Sequence, residues 1–260
     1  MRIFQVDAFT DTVFKGNPAA VIPLQEWPDD RTLQQIAAEN NLSETAYFSE
    51  NEDGSFQLRW FTPETEVDLC GHATLASAHI LFEQLNHQKK EITFHTKSGK
   101  LTVQKRDDMY IMDFPSNPPK PVPVPKLLPE AIGIIPIYTG VNIDMLVLVQ
   151  SEQDVRDIKP DMPLLKKMEV RGVIVTAPAD EPQTDFVSRF FAPAVGVPED
   201  PVTGSAHTVL TPFWAKRLGK NELRGMQIST RGGDLICIQK EGRVEIGGKA
   251  VTYMAGEITI

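Results

Sequence analysis

Cys70 and His72 lie two residues apart in the stretch EVDLCGHATLASAH, residues 66–79. A thiol beside an imidazole can serve as a nucleophile with its base. Two loops add carboxylates suited to proton transfer. NNLSETAYF places Glu44, preceded by Ser43, between an amphipathic segment and an apolar strand. PEDPVTGSAH places Asp200 shortly before Gly204 and Ser205. A carboxylate facing a closed cleft can exchange a proton with substrate, so both acids read as acid/base candidates. A lone loop glutamate is also an ordinary surface residue, and Ser43 an ordinary turn or cap hydroxyl.

Other chemistries find no motif. His72 and His79 are seven residues apart, not the i, i+4 spacing of a helical zinc pair, and no H-E-x-x-H occurs. The chain has no G-x-G-x-x-G, no P-loop and no G-x-S-x-G elbow. We therefore expect no metal, nucleotide or flavin cofactor. The formal net charge of −9 argues against a nucleic-acid partner and against an anionic membrane surface. Two cysteines in 260 residues form no disulfide framework and point to a reducing, cytoplasmic setting. The start MRIFQVDAFTD lacks the basic and apolar regions of a signal peptide. The apolar runs MLVLV and VIVTA are strand-sized, not membrane spans. The expected partner is a small molecule, and a homodimer is the default assembly.

The elements that must position these residues fall into two similar halves. PSNPPKPVPVPKLLP, residues 115–129, is seven-fifteenths proline and reads as an extended, stiff linker. Around it, RWFTPETEVDLC from Arg59 is echoed by RFFAPAVGVPED from Arg189. GHA from Gly71 is echoed by GSA from Gly204, SGKLTV by GGDLIC, and WPDDRTLQQIA by IKPDMPLLKKM. The offsets run only from 130 to 134 residues, which indicates an internal duplication with halves 1–116 and 117–249. In the ungapped register Cys70 pairs with Asp200, so no second thiol opposes it.

Each half reads as strands, an amphipathic helix (about 29–40; about 161–169), more strands, an apolar helix and closing strands. The helix at about 72–86 is apolar nearly all round and must be buried. Pro212, about two turns into its counterpart, is expected to kink or end that helix. The fold class is α+β: in each half a curled, mostly antiparallel sheet wraps a central helix. Helix N-termini carry unpaired N–H groups and partial positive charge. If the halves face each other, the starts at Gly71 and Gly204 can hold a carboxylate, with His72 and Ser205 at the ligand. Asn17 and Arg231 read either as cleft residues or as loop anchors.

VDAFTDTVFKGNPAAVIPL, NNLSETAYF, LRWFTPETEVDLCGHATLASAHIL and EDPVTGSAHTVL together resemble the phenazine-biosynthesis PhzF-like isomerase family. The resemblance implies the diaminopimelate epimerase-like fold, with the active site between the halves and residues 250–260 returning to the first. It implies a cofactor-independent isomerase; the family's characterised member isomerises trans-2,3-dihydro-3-hydroxyanthranilate. Carried over, Glu44 is the acid/base, with His72 and Asp200 as catalytic partners. Ser43, Gly71, Gly204 and Ser205 bind substrate, a small carboxylic acid. Two readings stay beside it. One is an amino-acid racemase or epimerase using Cys70; the other is a non-enzymatic ligand- or protein-binding relative.

Overall fold

In the computed structural model, which describes residues 1–260, the strands and the long helix of the first half recur in the same order after the proline-rich segment, behind an added short strand and helix. The first unit, Met1–Asp113 with Gly247–Ile260, opens with β1 (Arg2–Ala8), β2 (Asn17–Pro23), α1 (Asp30–Asn40) and β3 (Glu44–Glu50). It continues through β4 (Phe56–Phe61), β5 (Glu66–Val67), α2 (Gly71–Glu83), β6 (Glu91–Thr96), β7 (Gly99–Arg106) and β8 (Met109–Pro115).

The second unit, Phe114–Ile246, starts with β9 (Lys120–Pro121), α3 (Leu128–Ile132), β10 (Tyr138–Val141) and β11 (Met145–Leu148). Two short helices follow, α4 (Glu152–Asp157) and α5 (Met162–Leu165), then β12 (Val173–Pro178), β13 (Phe186–Ala192) and β14 (Val197–Asp200). Helix α6 (Gly204–Leu218), β15 (Glu222–Gln227), β16 (Gly233–Gln239) and β17 (Arg243–Gly248) close it. The last strand, β18 (Ala250–Glu257), pairs antiparallel with β1. The chain thus has the mixed α+β architecture expected of it, with parallel and antiparallel pairings in each unit. No helix is long and apolar enough to cross a membrane.

The pairing repeats as well. β2 and β3 are parallel, β3 and β4 antiparallel, β4 and β6 parallel. β11 and β12, β12 and β13, and β13 and β15 follow the same three relations. In the first unit α2 packs on β1, β2, β3 and β18, and every residue from His72 to Leu81 is buried. Its interior hydroxyls find acceptors one turn back: Thr74 Oγ1 donates to the Cys70 carbonyl at 2.6 Å and Ser77 Oγ to that of Ala73 at 2.7 Å. A polar group in a fully buried helix survives in this way, at little desolvation cost. Helix α6 does the same through Thr211 and His207, and stacks Trp214 on Phe186 with ring centroids 5.7 Å apart.

Three expectations change. The helix expected over 161–169 is only Met162–Leu165, with Glu152–Asp157 as a separate turn before it. Helix α6 does not end at Pro212; it runs on to Leu218. The proline cannot donate to the Thr208 carbonyl four residues back. That carbonyl accepts from the Asn117 N–H at 3.0 Å, and the Asn117 side chain reaches Thr208 Oγ1 at 2.9 Å. The proline-rich segment therefore supplies the hydrogen bond that the helix lacks.

The third change is the repeat register. Cys70 and Thr203 are the N-cap residues of α2 and α6, so Thr203, not Asp200, is the counterpart of Cys70. Two other contacts give the same register. Arg59 grips Glu66 with Nε and Nη2 at 2.8 and 2.9 Å, and Arg189 grips Glu199 in the same way at 2.7 and 2.9 Å. Trp60 pairs with Val67, and Phe190 with Asp200. The second unit has three more residues between the arginine and the acid, and the 3₁₀ turn Pro193–Val195 lies in that stretch. An ungapped alignment runs past this insertion.

Candidate active site

Helix α1 stops at Asn41, whose left-handed backbone (φ 49°) ends the turn. Asn40 then ties the loop to the next strand, donating to Thr45 Oγ1 at 3.1 Å. This short connection puts Ser43 just before β3 and Glu44 at its first residue. Across from it begins α2. Its N-cap, Cys70, makes no side-chain cap bond to the helix. Instead Cys70 Sγ lies 3.5 Å from His72 Nδ1, while His72 Nε2 lies 3.1 Å from Glu44 Oε2. Cys70 and His72 are almost wholly buried, and Glu44 is largely so. The Nε2–Oε2 contact is an ion-pair distance without the alignment of a hydrogen bond, so both buried atoms keep hydrogen-bonding capacity.

The electrostatics follow from burial and from one carboxylate. Burial pushes the Cys70 thiol up to about 11, with the Glu44 charge acting in the same direction, so Cys70 is protonated near neutral pH. For His72, burial favours the neutral ring, but the charges of Cys70 and Glu44 oppose it and prevail. Together Cys70 and Glu44 hold the His72 proton well above the usual histidine range. Glu44, Cys70 and His72 are also the residues able to hold a metal ion, their donor atoms lying within 4.8 Å of one another. The burial that keeps Cys70 protonated works against the thiolate such an ion would need.

In the second unit Asp200 ends β14 and accepts from the Thr203 hydroxyl. Gln227, fully buried on β15, clamps this turn. Its Oε1 accepts from the Thr203 N–H at 2.9 Å, and its Nε2 donates to the Asp200 carbonyl at 2.7 Å and to Thr203 Oγ1 at 3.2 Å. Ser205, on the first turn of α6, accepts from Arg171 Nη2 at 2.9 Å. The Arg171 guanidinium also holds the fully buried Asp144 through Nε and Nη2. Burial raises the pKa of Asp144, and the Arg171 hydrogen bonds and charge oppose that rise.

Glu44, Ser43, Gly71 and His72 are thus brought together in one unit, and Asp200, Gly204 and Ser205 in the other. Asn17 is buried at the start of β2. Sequence reasoning missed Thr203, Gln227, Arg171 and Asp144. For Arg171 a signal existed. VRG enters β12 as LSE enters β3, and the pairings Thr45 to Phe61 and Val173 to Phe191 align the two. Gln227 carries no local signal.

Comparison with known proteins agrees with this architecture. The family model for phenazine biosynthesis-like proteins, PhzC-PhzF, matches residues 6–256. An uncharacterized isomerase of Pseudomonas aeruginosa is 51% identical over 258 residues, covering 99% of this chain and 98% of its own. The crystal structure of a PhzF-family phenazine biosynthesis protein from Enterococcus faecalis has a TM-score of 0.97 at 44% identity, covering 100% and 99% of the two chains. A predicted epimerase from Pseudomonas aeruginosa, 19% identical with a TM-score of 0.75 over 100% and 99%, shares the fold alone.

Proposed function

Because the chain belongs to the PhzC-PhzF family of phenazine biosynthesis-like proteins, we propose that it is an isomerase. It moves a proton within a small cyclic or unsaturated carboxylic acid and needs no cofactor. The observation that carries this reading is the buried pair Glu44 and His72, facing at 3.1 Å with hydrogen-bonding capacity unspent. Glu44 takes a proton from one carbon of the substrate and returns it to another on the same conjugated system. His72 keeps its own proton and offers Nε2–H to the carboxylate or to a polar group of the substrate. Asp200, held by Thr203 and Gln227, orients a substrate amine or hydroxyl, and Ser43, Gly71, Gly204 and Ser205 take part in binding.

The repeat register supports one base rather than two matched ones. The counterpart of Cys70 is Thr203, and that of His72 is Ser205. Glu44 precedes Thr45 as Gly172 precedes Val173, so its counterpart is a glycine. A Cβ at Gly172 would lie 2.4 Å from the Phe190 ring and 3.2 Å from Asp144 Oδ1, leaving no room for an acid there. A mirror-image pair of bases, as a racemase of this symmetry would use, is not built into the chain.

The test is deuterium incorporation in D₂O from a panel of cyclic and unsaturated carboxylic acids. General acid/base help is worth roughly 10²–10⁴-fold, and Glu44→Gln is expected to lose about that much. Exchange that persists undiminished in a folded Glu44→Gln protein removes Glu44 from the reaction.

A further inference from the structure

At the strand entry where the first unit carries Ser43 and the carboxylate Glu44, the second carries a cation and a glycine. Ser43 and Glu44 lead into β3; Arg171 and Gly172 lead into β12 in the same register. His72 and Ser205 are each the second residue of their helix. The register pairs Glu44 with Gly172 and Ser43 with Arg171, so the group that reaches the helix start in the second unit comes from one position earlier: Arg171 Nη2 donates to Ser205 Oγ at 2.9 Å.

The guanidinium is held rigidly. Nε and Nη2 are fixed on Asp144, which is fully buried, and the group lies over the Phe190 ring at 5.6 Å. Nη1 makes no hydrogen bond, and 43% of the side chain stays exposed. Ser205 Oγ accepts from Arg171, and its own hydrogen has no acceptor. The open groups here, Arg171 Nη1 and the Ser205 hydroxyl, are hydrogen-bond donors. Their position beside the first turn of α6 adds to the cost, because a cation at the positive end of a helix is disfavoured. An anion reverses that cost, and a planar carboxylate matches two adjacent donors.

We propose that Arg171, locked in place by Asp144, is a specificity-determining residue that receives the substrate's carboxylate together with Ser205. One oxygen takes the Nη1–H and the other the Ser205 O–H. That the ligand is the substrate rests on the proton-shift reading; that it is a carboxylate rests on this cluster. Lysine at position 171 keeps the charge but loses the fork, and glutamine loses both.

The experiment titrates the full-length protein with benzoate and with benzamide, its neutral isostere, by calorimetry and NMR. The unmodified protein is expected to bind benzoate more tightly than benzamide. Arg171→Gln is expected to weaken benzoate about ten- to a hundredfold, the loss of charged hydrogen bonds, and to leave benzamide unchanged. Arg171→Lys falls between. Arg171→Gln strands a buried carboxylate and can unfold the protein, so the double variant Asp144→Asn/Arg171→Gln is measured beside it. A folded single or double variant that retains its benzoate affinity overturns the proposal. So does an unmodified protein that binds neither probe, or that binds both equally. Glu44→Gln separates this result from the functional reading: it is expected to keep benzoate affinity and lose proton exchange. Exchange that survives in Glu44→Gln while benzoate still depends on Arg171 rejects the acid/base assignment and leaves the carboxylate site standing.

Discussion

Gln227→Leu is the most exacting test of how the second unit is held. The side chain is fully buried, and its amide makes three hydrogen bonds to the Asp200–Thr203 turn. Leucine fills a similar volume but leaves the Thr203 N–H, which is buried, without its acceptor. It also frees the Asp200 carbonyl, which is only partly buried and can turn to water. An orphaned buried group costs about 1–3 kcal/mol, and a lost hydrogen bond near solvent about 0.5–1.5. The expected loss is therefore about 1.5–4.5 kcal/mol. Gln227→Glu keeps an acceptor for Thr203 but no donor for Asp200, so it should lie between leucine and the native residue if its charge is tolerated. Urea denaturation followed by tryptophan fluorescence measures the loss. Proton exchange with a turned-over acid measures the second effect, a fall in kcat larger than any rise in KM, because Asp200 loses its fixed carbonyl. A leucine variant within about 0.5 kcal/mol of the native protein, the usual scatter of neutral substitutions, would refute the clamp.

Three further outcomes follow from the site. Cys70→Ala is expected to retain proton exchange, since a thiol pushed up to about 11 is not a base near neutral pH; loss of exchange in a folded variant would return Cys70 to the chemistry. The folded-state pKa of His72 is raised above the ordinary histidine value of 6.5. Its stabilisation is thus fully present below that value and lost as pH rises through the raised folded pKa. Glu44→Gln removes one of the two neighbours that raise it, so urea midpoints measured from about pH 6 to pH 9 should fall less steeply in the variant. Gly172→Ala puts a Cβ 2.4 Å from the ring of the buried Phe190 and should cost roughly 1–3 kcal/mol in thermal unfolding, the usual price of overpacking.

Much of the architecture was legible because it rests on local pattern. The all-round apolar stretch after Gly71 has one stable place, the interior, and α2 is buried there from His72 to Leu81. The helix starts at Gly71 and Gly204 were legible for a similar reason: the same small residues recur after the same strands. Glu44 and His72 were chosen separately, on motif resemblance, and the fold sets them 3.1 Å apart. Nothing in their spacing of 28 residues required that contact.

What the sequence alone determined, then, is the order of elements, the duplication and the types of residue near each helix start. The tertiary structure decided the rest, because it depends on pairing between distant strands. Three additional residues before Asp200 shift the repeat, which turns the partner of Cys70 from an acid into Thr203. Of the two outcomes expected at Pro212, a kink or an end, the helix does not end there: Asn117 supplies a donor from about ninety residues away to a carbonyl the proline leaves open. Gln227, unremarkable on its strand, becomes the clamp on Asp200 only once β15 lies beside β13. Arg171 becomes a poised cation only because the fold buries Asp144 behind it and brings Ser205 alongside. Hydrogen bonds and charges act over a few ångströms, and chain separation does not reveal which groups will come within that range.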